Sequence, residues 1–128
     1  MRYILCDIHY AEHGMPVGPD IIEILRLELR RGTLILAVLG CLRAEKYGYT
    51  LKTELAEKGV EIDEGALYPM LRRLESQGLL TSEWREDAKR KKRFYRLSAD
   101  GAEALDQLTR EWRAMNGALE SILKGAGQ

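Results

Sequence analysis

From Asp20 onward, apolar positions recur at helical spacing through most of the chain, with a short interval of alternation between them. Asp20 is placed to cap a helix over IIEILRLELRR that ends at Gly32, and Thr33 to cap a second, LILAVLGCLRAEK. The second is apolar on nearly every face in its first two turns, which assigns it to the centre of a fold. Gly48 breaks the pattern. YTLKTELAEKG then predicts a third helix with Leu51 and Leu55 inward and Gly59 as its stop, and Val60 to Ile62 form an extended link. Asp63 caps a fourth helix, in which Leu67, Met70, Leu71 and Leu74 fall at i, i+3, i+4 and i+7 on one buried side. The opposite side collects Gly65, Pro69, Arg72 and Ser76, with Tyr68 and Arg73 flanking it. Pro69 lacks the N–H that would bond to Gly65, so the first turn is expected to bend or loosen, and Gly78 ends the helix.

Two helices joined by a short link, the second bearing exposed arginines, make a helix-turn-helix. Leu79 to Glu83 and Arg93 to Leu97 predict two short strands, the second with Phe94 and Arg96 on one face and Tyr95 and Leu97 on the other. Trp84 to Lys92 would be the wing between them. A last helix, capped by Ser98 and running to about Lys124, carries Leu105, Leu108, Trp112, Met115, Leu119 and Ile122 at alternating spacings of three and four. Such a seam has no partner of matching length within the chain except the shorter helix from Asp20 to Arg31, so a homodimer is expected. The fold class is mainly α (α+β): a winged helix-turn-helix over 20–98, a long C-terminal dimerisation helix over 99–128, and an N-terminal extension over 1–19.

Charge changes this picture in one place. The 128 residues sum to zero net charge, but 85–96 hold Arg85, Lys89, Arg90, Lys91, Lys92, Arg93 and Arg96 against Glu86 and Asp87. A polyanion responds to that local field and not to the total. A hydrophobic fraction of 45% and a charged fraction of 31% suit one globular domain and point away from disorder. No apolar run approaches the roughly 18 residues of a spanning helix. YILCDI is too short and too interrupted for a secretory signal, so a cytoplasmic protein without membrane contact is expected. Cys41 reads as a small buried hydrophobe, whereas Cys6, His9 and His13 match no zinc-ribbon or finger spacing. No metal or cofactor is therefore assigned.

GALYPMLRRLESQGLL, followed by W…KRFYRLSADG and preceded by LRRGTL and YGYTL, resembles the PadR family of bacterial transcriptional regulators over about residues 26 to 110. The single long C-terminal helix is similar to the smaller PadR subfamily. The resemblance implies a dimeric winged-helix repressor that binds an inverted-repeat operator in double-stranded DNA and is released by a small molecule. It carries over Tyr49, Tyr68, Pro69, Arg72 and Arg73, together with the wing cations Lys89, Arg90, Lys91, Lys92 and Arg93. Two departures stand out: Ala66 replaces the usual Thr, and Ala88-Lys89-Arg90-Lys91-Lys92 replaces a Gly-Arg/Lys-Pro type of wing tip.

Arg72 is the strongest base reader, being central on the exposed face and suited to bidentate contact with guanine, while Tyr68 is assigned to phosphate. Trp112 on the seam is either plain dimer core or, with its symmetry mate, the wall of a site for a small aromatic effector. A different class of function is a winged-helix module for protein interaction or effector sensing that does not read DNA. An enzyme is not expected: there is no Ser/His/Asp set and no Gly-rich phosphate loop, and both histidines lie in the N-terminal extension.

Overall fold

The structure, a computed structural model, describes residues 18–126. Cys6, His9 and His13 lie outside that range, as does nearly all of the 1–19 extension. In chain order the elements are α1 (Pro19–Cys41), β1 (Lys46–Tyr47), α2 (Gly48–Glu57), α3 (Glu64–Ser76), β2 (Leu80–Asp87), β3 (Arg90–Leu97) and α4 (Ala99–Ala126). Two compact units divide between Leu34 and Ile35, inside α1.

The two expected N-terminal helices are a single one of 23 residues. Pro19 opens it, where a missing N–H costs nothing, and the Gly18 carbonyl accepts from Ile21 and Ile22; Asp20 lies in the first turn and is not the cap. Gly32 does not end the helix, and the Thr33 hydroxyl donates back to the Arg30 carbonyl at 2.8 Å and starts nothing. Continuing a formed helix adds one backbone bond per residue, which outweighs the roughly 1 kcal/mol that one glycine costs. Before Leu34 the helix leaves Leu25 and Leu29 exposed at 58% and 75%.

In the second unit, Val38, Leu39 and Leu42 of the apolar segment are fully buried, as its composition requires. Leu51 and Leu55 of α2 and Leu67, Met70, Leu71 and Leu74 of α3 complete the helical part of the core, on the side the spacing predicted. The Asp63 carboxylate accepts from the Ala66 N–H at 2.8 Å, and Gly59 and Gly78 follow the ends of α2 and α3 at positive φ. α3 runs through Pro69 unbroken, since Gly65 is exposed and water can take the carbonyl left without its bond.

The sheet departs from expectation. β1, with only two residues, carried no periodic signal, yet it pairs antiparallel with β3 and makes the order β1-β3-β2. Lys46 of β1 also donates to the Cys41 carbonyl at 2.6 Å, closing the end of α1, and pairs with Glu54 of α2 at 3.0 Å. β2 and β3 stay paired from Leu80↔Leu97 to Asp87↔Arg90, so the wing is a ladder almost to its tip. Only Ala88 and Lys89 form the turn, at φ 53° and 68°. Two positive φ values are those of the type I′ turn that matches strand twist.

α4 starts where expected, Ser98 accepting from the Gly101 N–H at 2.9 Å. Leu105 joins the core at 5% exposure, but Trp112, Met115, Leu119 and Ile122 are 43–70% exposed. At Gly101 the helix touches the start of the wing: a Cβ there would lie 2.9 Å from the Leu79 carbonyl carbon and closer still to its oxygen. Gly101→Ala must move backbone, so a loss of about 3 kcal/mol is expected from urea denaturation. A stability within error of the parent would show that contact to be soft.

Candidate nucleic-acid interface

The functional side chains come from three places: the N-terminus of α2, the outer face of α3, and the wing. Arg72 and Arg73 are exposed and enter no ion pair among the described residues. Pro69 is exposed beside them, and Tyr49 stands 68% exposed on α2. Tyr68 is half-buried against the backbone of Gly48, where a Cβ would come within 2.6 Å of its Cζ. Glycine at position 48 therefore lets α2 and α3 approach through this ring. Burial, with Glu64 nearby, raises the Tyr68 pKa, so its hydroxyl stays protonated and able to donate. Between α3 and the wing lies an open groove of about 410 Å³, walled by Tyr47, Tyr49, Tyr68, Trp84 and Tyr95 and edged by Arg72 and Lys91.

The basic residues of the wing divide into two groups. Three are tied to the protein itself. Arg85 pairs with Glu45 and lies 4.0 Å above the Phe94 ring. Lys92 pairs with Asp87 at 3.2 Å and lies 4.3 Å above the Tyr47 ring; hydrogen bonding to Asp87 and then to Tyr47 raises its pKa. Arg93 pairs with Glu75 of α3 at 2.9 Å. Lys89, Arg90, Lys91 and Arg96 are exposed and enter no ion pair among the described residues. Strand alternation separates them further, placing Lys91 on the face of Arg93 and Tyr95, and Arg90 on that of Lys92 and Phe94.

Of the residues singled out by sequence, Tyr49, Tyr68, Arg72, Arg90, Lys91, Lys92 and Arg93 line this groove, whereas Pro69, Arg73 and Lys89 are exposed outside its lining, and Lys92 and Arg93 also hold the wing in place. Sequence reasoning gave no site role to Tyr47, Trp84 or Ser82, and it expected Glu75 to pair with a neighbour on the protein surface without identifying Arg93. Tyr47, Trp84 and Glu75 lie within the family-like segments, but Glu75 and Ser82 find their partner only through the hairpin pairing. The seam residues Leu108, Trp112, Met115, Leu119 and Ile122 lie elsewhere, along α4. Among the described residues no helix is long and apolar enough to cross a membrane, and no three His, Cys, Asp or Glu side chains gather as metal ligands.

A family model for "Transcriptional regulator PadR-like family" matches residues 35–107. Transcriptional regulator Rv3488 of Mycobacterium tuberculosis is 40% identical over 81 residues, which cover 63% of this chain and 73% of that protein. A PadR family transcriptional regulator from Eggerthella lenta is 41% identical with a TM-score of 0.74, covering 81% of this chain and 93% of that one. Bacillus subtilis PadR, solved in complex with operator DNA, is 27% identical with a TM-score of 0.55, covering 60% of this chain and 45% of that one.

The wing turn generates a stability test. Neither Ala88 nor Lys89 suits a positive φ, each costing on the order of 1 kcal/mol relative to Asn or Gly. Replacing the pair by Asn-Gly should raise the urea midpoint by an amount worth about 2 kcal/mol; an unchanged or lower midpoint would contradict the turn geometry.

Proposed function

The chain belongs to the PadR-like family of transcriptional regulators, and we propose that it works as a homodimeric repressor on an inverted-repeat operator. In this reading Arg72 reads a base edge in the major groove, Tyr68 and Tyr49 meet phosphate, and Lys89, Arg90 and Lys91 hold flanking backbone. The observation that carries it is the cationic surface shared by α3 and the wing tip that enters no ion pair among the described residues, beside Glu75 and Asp87, which are already engaged. The operator complex of Bacillus subtilis PadR supports the same use of the fold.

The dimer is supported by α4. Its apolar seam leaves Trp112 at 43%, Leu119 at 45% and Ile122 at 68% exposure in a single copy, and a second α4 is the economical cover. Trp112 would then face its mate across the two-fold axis, offering two flat indoles to an aromatic effector whose binding releases the operator.

Selection of bound duplexes from random DNA with the purified chain tests the reading. Arg72→Ala should lose about 1–3 kcal/mol on the selected sequence and less on random DNA. Lys91→Ala should weaken both alike and lower the slope of log Kd against log salt by about 1. Recovery of a protein partner but no duplex would favour the interaction-module reading. For the dimer, Trp112→Glu should shift the sedimentation of the chain from two copies to one while its helical circular dichroism persists; an unchanged dimer would place the interface away from α4.

A further inference from the structure

Glu75 sits one turn beyond Arg72 on α3, and its carboxylate is used twice. Oε2 accepts from the Ser82 hydroxyl of β2 at 2.7 Å, and Oε1 accepts from Nη2 of Arg93 on β3 at 2.9 Å. Ser82 Oγ accepts in turn from Arg93 Nε at 2.9 Å. Three side chains from three elements therefore close a ring, with Ser82 opposite Tyr95 and Trp84 opposite Arg93 on rungs two apart, on one face of the ladder. Beyond Leu80, β2 contributes no buried apolar residue, so little on that strand besides Ser82 holds the hairpin to α3.

This ring is costly for a surface that meets a polyanion. It places a carboxylate beside Arg72 and occupies the guanidinium of Arg93, and charge alone would favour neither. What it supplies is a fixed angle. Double-stranded DNA is stiff over about 50 nm, so two contact points on one duplex must be presented at a set separation, and ordering a loose wing at binding would reduce affinity.

We infer that Glu75 is a positioning residue for DNA binding, which never touches the duplex but sets the wing against α3 so that Arg72 and Lys91 engage together. This rests on the DNA reading above.

The anisotropy is read on the full chain carrying Trp112→Phe, which leaves Trp84 as the one tryptophan of the two in the sequence, and duplex binding is measured on the chain with Trp112 intact. The Arg93 guanidinium lies 5.7 Å from the Trp84 ring, so this side chain senses the ring directly. Glu75→Leu should add a fast component to the time-resolved anisotropy of Trp84 without DNA. It should also weaken binding to the selected duplex about tenfold, although a negative charge has been removed, and shrink the penalty of a further Lys91→Ala towards none. Ser82→Ala alters no charge and deletes one oxygen; should Glu75→Leu fail to fold, it gives the same signs at about threefold. Tighter binding by Glu75→Leu, or unchanged anisotropy with an undiminished Lys91→Ala penalty, overturns the positioning role alone. A parent chain that binds no duplex overturns the DNA reading and this role with it.

Discussion

Where α3 ends and the wing begins, the Leu79 carbonyl accepts the Ser98 N–H at 3.0 Å, and the Ser98 hydroxyl donates to the Gly78 carbonyl at 2.6 Å while accepting from Gly101. Four elements meet in this junction: the end of α3, the first residue of β2, the last of β3 and the first turn of α4. The hairpin can close at its base only if the two strands arrive in register, and the Ser98 contacts impose that register on them. The same hydroxyl caps α4, so the direction in which its apolar seam leaves the domain depends on the contact that seats the wing. Gly101 is part of the constraint because any side chain there would occupy the space of the Leu79 peptide.

Charge is then divided within the wing. Arg93 joins β3 to α3 through Glu75, and Arg85 reaches Glu45. On the same rung as Arg85, Lys92 is shared between Asp87 and the Tyr47 ring. Lys89, Arg90 and Lys91 stand clear at the tip, as does Arg96 near the base. A basic run that looks uniform in the chain separates in the folded wing into groups whose charge is offset within the protein and groups that enter no ion pair among the described residues.

The division explains what could be read in advance. The inward leucines of α3, the Asp63 and Ser98 caps and the length of α4 were legible because each depends on spacing or on residues within one turn. β1 was not, since two residues have no period, and its existence depends on Phe94 and Tyr95 arriving from far along the chain. Gly32 and Thr33 misled for the opposite reason: both carry real local signals for a helix end, but the apolar rows on either side favour continuation. The wing strands were drawn too short because alternation of apolar and polar residues vanishes once both faces meet water, while the backbone ladder runs on to Asp87 and Arg90. Of the site, the exposed arginines were visible as the polar face of an amphipathic helix. The pairing of Glu75 with Arg93 depends on the fold bringing positions 18 residues apart together.

In the proposed homodimer, the tight seating of α4 would bear on regulation. Its first turn is fixed by the Ser98 cap and by Gly101 against Leu79, and Leu105 anchors the next turn in the core. In a dimer closed along the seam, any change in the crossing of the two α4 helices near Trp112 would be delivered as a rotation of a rigid rod rooted at the wing base. A packed backbone contact transmits such a rotation instead of absorbing it. The Glu75 ring would carry it onward to α3 and the wing as one body, changing the spacing of the two half-site surfaces and leaving each surface intact. In the proposed dimer, release of an operator would need no distortion of Arg72 or Lys91, only that two well-formed halves no longer match one duplex.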